Sequence, residues 1–234
     1  MLFVAAALMA GPNLHAQTVD EIVKKHVDAI GGVDNWKKVN AIKFIATMNA
    51  NGTDIAINRS LLADKGMRVD IDVMGMHGYM IVTQTAGWNF MPWGGQTKPE
   101  PITEDDLKVG HSQMMFPDKL YDYAAKGSKI EFLGKDDVDG TECLKLKVTT
   151  KDGNLITEYI DPSTYFLIRE VQKMKANGQE MEVTTNFSNY QKLPEGIFIA
   201  MTVGTQQGEY KITKVEINTI KDESIFKPEE PKKG

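Results

Sequence analysis

The side chains able to do chemistry in this chain are few and poorly spaced for catalysis. Of four histidines, His15 falls in a segment expected to be removed, His26 on a first helix, His77 in a Gly-rich turn and His111 near a central helical stretch. No two stand at the i,i+2 or i,i+4 spacing that brings two imidazoles onto one metal, so no zinc signature exists. The single cysteine, Cys143, excludes an internal disulfide framework and a multi-cysteine metal site. It reads as a small packing residue. Asp105-Asp106 sits in the first turn of a predicted helix, where the helix dipole favours negative charge. Asp136-Asp137-Asp139 precedes a turn glycine. Neither has the ligand spacing or closing Glu of a calcium loop. Phosphate loops, nucleophile elbows and dinucleotide fingerprints are absent, and Ser60, Ser112, Ser128, Ser163 and Ser188 have no turn that would expose a nucleophile. An enzyme on this chain would need a cleft where His77 or His111 meets acids. The expectation is a non-catalytic protein with no cofactor and no metal.

What stands out is soft apolar surface. Thirteen methionines are present. Met74, Met76, Met80, Met91, Met114 and Met115 cluster about the central turns, beside Trp88, Phe90, Trp93 and Phe116. Methionine is flexible and polarizable and suits a wall that must fit ligands of variable shape. The same residues could equally fill a core between sheet and helices. As a pocket, the predicted inner faces and the central insert nominate Phe44, Met48, Met80, Trp88, Phe90, Met91, Trp93, Met114, Met115 and Phe116. Gly94-Gly95 and Gly110 are candidate hinges of a lid.

The elements that must position this surface are legible in order. Leu2 to Ala10 is an apolar run broken by Gly11-Pro12, with a cleavage signal after Ala16, so residues 1–16 read as a signal peptide too short to span a bilayer. Residues 17–228 are expected to form one domain, and the charged, Pro-containing 229–234 a frayed tail. Thr18 to Ile30 has helical apolar spacing, with a Thr18/Glu21 capping box and Gly31 as its stop. A short helix, 33–39, carries Trp36. From Ala41 the period becomes two, and Asn51-Gly52, Asp139-Gly140, Asp152-Gly153 and Asn177-Gly178 mark hairpins. Roughly eleven or twelve antiparallel strands follow, the signature of a sandwich or curled barrel. Between residues 92 and 127 this pattern lapses into a loop, a helix capped by Thr103 and a second helix, 119–126, capped by Asp118. The net charge of −5 offers no basic face for nucleic acid.

This order of elements resembles a known family. A helix ends in Ala29-Ile30-Gly31-Gly32, a meander and a helical insert follow, and a second meander carries Gly134 to Gly140, Leu144-Lys145-Leu146, Asp152-Gly153 and Tyr159-Ile160-Asp161-Pro162. Together these resemble the outer-membrane lipoprotein-sorting proteins, relatives of the Lol periplasmic carrier and its outer-membrane receptor. The resemblance implies a mainly β fold with α, an incomplete half-barrel of curled antiparallel sheet covered by helices. It implies a periplasmic carrier of lipid or lipoprotein acyl chains, with inner- or outer-membrane sorting components as further partners. Cys143 lies mid-chain, so no lipid anchor of the receptor's kind is expected. Arg59, Arg68 and Arg169 are the only arginines, and the resemblance singles out none of them for the carrier's functional arginine. The alternative from another class is an envelope interaction or sensor module with a closed core on the same fold.

Overall fold

The computed structural model describes residues 18–50, 52–176 and 179–229. The expected signal peptide, residues 230–234 of the expected tail, and Asn51, Asn177 and Gly178 of two expected hairpins lie outside them. No helix among the described residues is long and apolar enough to cross a membrane.

Helix α1, Val19–Ala29, begins at the expected capping box: Thr18 Oγ1 accepts from the Glu21 amide and Glu21 Oε2 from the Thr18 amide. Its apolar stripe buries Ile22, Val23 and Val27. Gly31 and Gly32 both take positive φ, and the Gly32 amide reaches back to the Val27 carbonyl at 2.8 Å, which satisfies a carbonyl the ended helix orphans. Helix α2 is only Val33–Trp36, shorter than its sequence suggests. It delivers Trp36, whose indole N–H donates to the Ile30 carbonyl.

The first meander follows as β1 (Ala41–Ala50), β2 (Thr53–Leu62), β3 (Gly66–Val73), β4 (Met76–Thr83) and β5 (Gly87–Phe90). A two-residue β6 (Glu100–Pro101) pairs with β5 and carries no strand pattern in sequence. The insert then supplies α3 (Glu104–Gln113), capped by Thr103 as expected. The second meander is β7 (Lys129–Val138), β8 (Thr141–Thr149), β9 (Leu155–Ile160), β10 (Leu167–Ala176), β11 (Gln179–Lys192), β12 (Phe198–Thr205) and β13 (Gly208–Ile217). All thirteen join one sheet in the order β6-β5-β4-β3-β2-β1-β13-β12-β11-β10-β9-β8-β7. The pairing of β1 with β13, Ile42 opposite Ile217 through Met48 opposite Tyr210, fuses the two meanders. The order ends at β6 and β7, so the curled sheet stays unclosed: a half-barrel with helices.

Two expectations change. Residues 119–126 are not helical. Asp118 Oδ1 does accept from the Leu120 and Tyr121 amides, as a cap would, but Asp122 has φ 52°, a left-handed conformation that cannot continue a right-handed helix. The segment turns instead and inserts Leu120, fully buried, among the α1 and β8–β9 side chains. The start of the expected tail is also held, because Glu229 pairs with Arg68 at 2.7 Å and its amide donates to Tyr79 Oη.

Period-two alternation decides the core. Leu144, Leu146 and Val148 of β8 and Ile156 and Ile160 of β9 form one inner stripe under α1. Ile42, Leu61, Met67 and Val82 form another, with Leu107 and Met114 of the insert against it. The opposite face of β3–β5 is covered by a 3-10 turn, Glu223–Phe226, with Phe226 against Tyr79 and Ile81.

One buried polar contact ties α1 to the insert. His26 is 1% exposed, with Nδ1 2.8 Å from the Tyr165 carbonyl and Nε2 3.0 Å from Asp118 Oδ2. Both partners are acceptors, so these contacts favour the imidazolium, in which both ring nitrogens donate. Burial opposes that charge, but the Asp118 carboxylate outweighs it and holds the His26 pKa above its ordinary value. Burial likewise opposes the Asp118 anion, and His26 outweighs it, drawing the carboxyl down to about 2.

Two predictions follow from these contacts. A Cβ on Gly31 would stand 2.6 Å from the Gly196 carbonyl oxygen and 2.7 Å from Ile197 Cα, whereas one on Gly32 would meet nothing within 4 Å. In urea melts Gly31→Ala should therefore lose clearly more stability than Gly32→Ala, which carries only the positive-φ cost of about 1–3 kcal/mol. Stability should also be bounded at both ends of the pH scale. The depressed Asp118 pKa contributes above the ordinary carboxylate value and is lost as pH falls toward 2. The raised His26 pKa contributes below its ordinary value of 6.5 and is lost as pH rises through the folded value. His26→Gln should lower stability near pH 6 by about 3 kcal/mol and flatten both limbs of the melting-temperature profile.

Candidate ligand-binding cavity

Helices and insert do not fill the trough of the half-barrel. A cavity of about 510 Å³ remains between them and the sheet, a size within the range of roughly 300–1,000 Å³ typical of ligand sites. The first meander contributes Ile42, Phe44 and Ala46 of β1, Ile57 and Leu61 of β2, Val69 and Ile71 of β3, and Met80 of β4. The second contributes Leu167 and Met174 of β10, Val183 and Phe187 of β11, Ala200 and Val203 of β12, and Ile212 of β13. Ile30, Trp36, Met115, Phe116 and Pro117 form the cover. Trp36 and Phe116 meet edge to face at 5.6 Å, a favoured geometry for aromatic rings.

Of the side chains nominated from sequence, Phe44, Met80, Met115 and Phe116 stand together on this wall. Met48, Trp88, Phe90, Met91, Trp93 and Met114 do not line it. Trp88 and Phe90 pair with Ile81 and Tyr79 of β4, the residues on either side of inward-facing Met80, and so point to the other face and pack under Phe226. That is the one-residue parity error that flips every side chain of a strand. Met48 shares the inner face but lies beyond the cavity, beside Gly208. Met114 packs among the buried side chains between the insert and β1–β4. Trp93 lies over Gly78 with 40% of its surface exposed, and Met91 holds a turn in which its backbone N–H donates to Gln96 Oε1. Met74 is a hairpin tip at φ 51°, 79% exposed.

The cavity also has a polar floor, which the apolar pattern of the sequence does not reveal. Arg59 stands between Ile57 and Leu61 on β2, with Phe44 and Val69 opposite it on the neighbouring strands. Its guanidinium donates to the Gln113 carbonyl at the end of α3, and its Nε is buried without a partner among the described residues. Burial pushes the Arg59 pKa down. Glu158 stands between Ile156 and Ile160 on β9, 1% exposed, with both carboxyl oxygens unpartnered among the described residues. Glu170 of β10 lies directly opposite it in register. Lys119 takes Glu170 at 2.6 Å, both largely buried. Burial raises the Glu158 pKa to about 8, and the Glu170 and Asp118 carboxylates add to the rise against Lys119 and His26. A sequence signal existed for both residues: a charge in the middle of an apolar period-two stripe, Ile57-Arg59-Leu61 and Ile156-Glu158-Ile160. Arg68 and Arg169 lie outside the cavity, paired with Asp70 and Glu229 and with Asp139 respectively.

The insert crosses the trough on a few side-chain bonds. Gln172 of β10 donates to Ser112 at 3.1 Å, Asn154 to the Lys108 carbonyl, and Arg59 to Gln113. His111 lies 3.2 Å from Asp152 and from the Thr83 carbonyl, and His77 2.8 Å from Asp72. Neither histidine lines the cavity. Among the described residues no group of three or more His, Cys, Asp or Glu could hold a metal.

No family model matches the chain, and no curated protein matches it. Solved structures do. A domain named for outer membrane lipoprotein sorting, from Vibrio parahaemolyticus, aligns over 89% of this chain and 97% of its own length at TM-score 0.55 and 13% identity. A DUF1329 family protein from Desulfovibrio piger aligns over 89% and 97% at TM-score 0.54 and 13% identity. A LolA superfamily protein from Nitrosomonas europaea aligns over 91% and 99% at TM-score 0.57 and 12% identity. At these identities the likeness is one of fold, the half-barrel that this chain shares with these three structures.

Proposed function

We propose that this protein is a non-catalytic carrier that holds lipid or lipoprotein acyl chains in the trough of its half-barrel. The observation that carries the reading is the cavity itself: ligand-sized, walled by aliphatic, methionine and aromatic side chains, and roofed by an insert whose helix α3 reaches the second meander through side-chain bonds. Each buried methylene contributes about 0.8 kcal/mol, so roughly ten give about 8 kcal/mol, micromolar binding before ordering costs. No covalent step is needed. The energetic difficulty lies in release, and α3, held to the second meander by a few side-chain bonds, is the part of the roof that opens at least cost. The likeness in fold to proteins named for lipoprotein sorting supports an envelope setting, with the periplasm as the compartment and membrane sorting components as the donors and acceptors of cargo.

Native mass spectrometry of the protein purified from an envelope fraction, followed by solvent extraction, reads the cargo directly. A fluorescent fatty-acid probe tests the cavity. Ala46 is 3% exposed and lines it, so Ala46→Phe should fill part of the space and weaken probe binding about tenfold, the loss of one to two buried methylenes. Circular dichroism should show the sheet retained. A wild-type protein that takes up no probe and carries no lipid overturns the carrier reading in favour of a protein-interaction module.

A further inference from the structure

Hydrocarbon alone gives no reason for ionisable side chains in the cavity, since burying a charge is costly unless it is paired. Six such groups converge on the floor, and they do not cancel. His26 is matched by Asp118 and Lys119 by Glu170. That leaves Arg59 and Glu158. Among the described residues Arg59 has no carboxylate in contact; its guanidinium reaches only a backbone carbonyl, and its Nε–H is an orphan donor. Both oxygens of Glu158 are orphans as well. Glu170, which faces Glu158 in register, also acts electrostatically on Arg59, and Lys119 interacts with all three. The two leftover groups therefore share one neighbourhood. Burial first, and the adjacent Glu170 and Asp118 carboxylates with it, push the Glu158 pKa up and favour its neutral acid, which offers an O–H donor. The floor thus presents two unused donors and one uncompensated positive charge. An oxyanion satisfies all three.

We propose that the cavity is a two-part site for an acidic amphiphile, whose carboxylate or phosphate head is held by Arg59 and Glu158 while its chain lies along the apolar walls. This rests on the carrier reading and adds the head-group class to it. An alkylammonium head would face Arg59 and Lys119 with Glu170 already taken. An uncharged head would leave the buried Arg59 charge uncompensated.

The test is head-group selectivity on one chain length. Dodecanoate, dodecyl phosphate, dodecanol and dodecylammonium are titrated against the mature protein by displacement of the fluorescent probe. The two anions should bind at least about tenfold tighter than the alcohol, the effect of one charge-assisted contact. Which anion is preferred separates a fatty-acid head from a phospholipid-like one. Arg59→Met should bring the anion-to-alcohol ratio to about one while affinity for the alcohol stays within about threefold. Glu158→Gln, which keeps a donor, should preserve the preference. A ratio is unaffected by a merely structural loss, and the wild-type ratio stands even if a variant fails to fold. Equal binding of all four probes, or a preference for the ammonium, overturns the head-group assignment and leaves the carrier reading intact. Failure of all four to bind overturns both.

Discussion

The ladder between β1 and β13 is the constraint on which the rest of the structure depends. It joins residues more than 160 positions apart, Met48 to Tyr210 and Ile42 to Ile217. Every other ladder joins strands that follow one another in sequence. Each meander can therefore assemble from local hairpins, but the trough exists only when this non-local pair closes, because the cavity draws its walls from both meanders. The side chains on that ladder are themselves part of the wall: Phe44 and Ala46 from one strand, Tyr210 and Ile212 from the other. Cavity and fold are thus completed by one event, and the loop-closure entropy spanning nearly the whole chain is offset by a seven-position ladder and the burial it brings.

An open half-barrel must also cover an apolar concave face. α1, α2 and the insert do this unevenly. α1 packs tightly, its stripe interleaved with β8 and β9 and its His26 locked to Asp118. The insert contributes Leu107, Met114 and Phe116, and while its Lys119 and Leu120 are buried against the second meander, its helix α3 reaches that meander chiefly through Gln172, Asn154 and His111. One half of the roof is core and the other half is a strap. The cavity lies where the two meet, under Trp36 and Phe116.

The polar floor is costly for a protein that needs only to fold. Replacing Arg59 and Glu158 by apolar residues would remove two desolvation penalties from positions already flanked by isoleucine and leucine. Two carboxyls directly opposite each other on adjacent strands repel if both ionise, and here the conflict is resolved by Lys119 on one and a proton on the other. Such departures from a sequence's own pattern are where sites are found, because the local rule is broken for something other than stability.

Much of the architecture follows from local pattern. The capping box at Thr18, the Gly31 stop, the Thr103 cap, the Asp139-Gly140 turn and the alternation of twelve strands are all decided within a few residues, by backbone hydrogen bonding and by which side of a pleat each side chain faces. The resemblance in element order carried the half-barrel as well. Sequence alone did not decide which of the apolar clusters faces the cavity. Trp88 and Phe90 have the same composition signal as Phe44 and Met80 but the opposite parity, and parity is set by register across the ladder. Asp118 reads as the start of a helix, and tertiary packing of Leu120 and a left-handed Asp122 turned it into a loop. Arg59 and Glu158 were visible as charges on inward positions, yet their meaning depends on non-local partners: Glu170 across one ladder, Lys119 from the insert, and the curl of a thirteen-stranded sheet that brings β2 and β9 into one neighbourhood. The sequence determined the elements and their order, because those are local properties of the chain. The structure decided the site, because a site is made of residues that only the closed fold brings together.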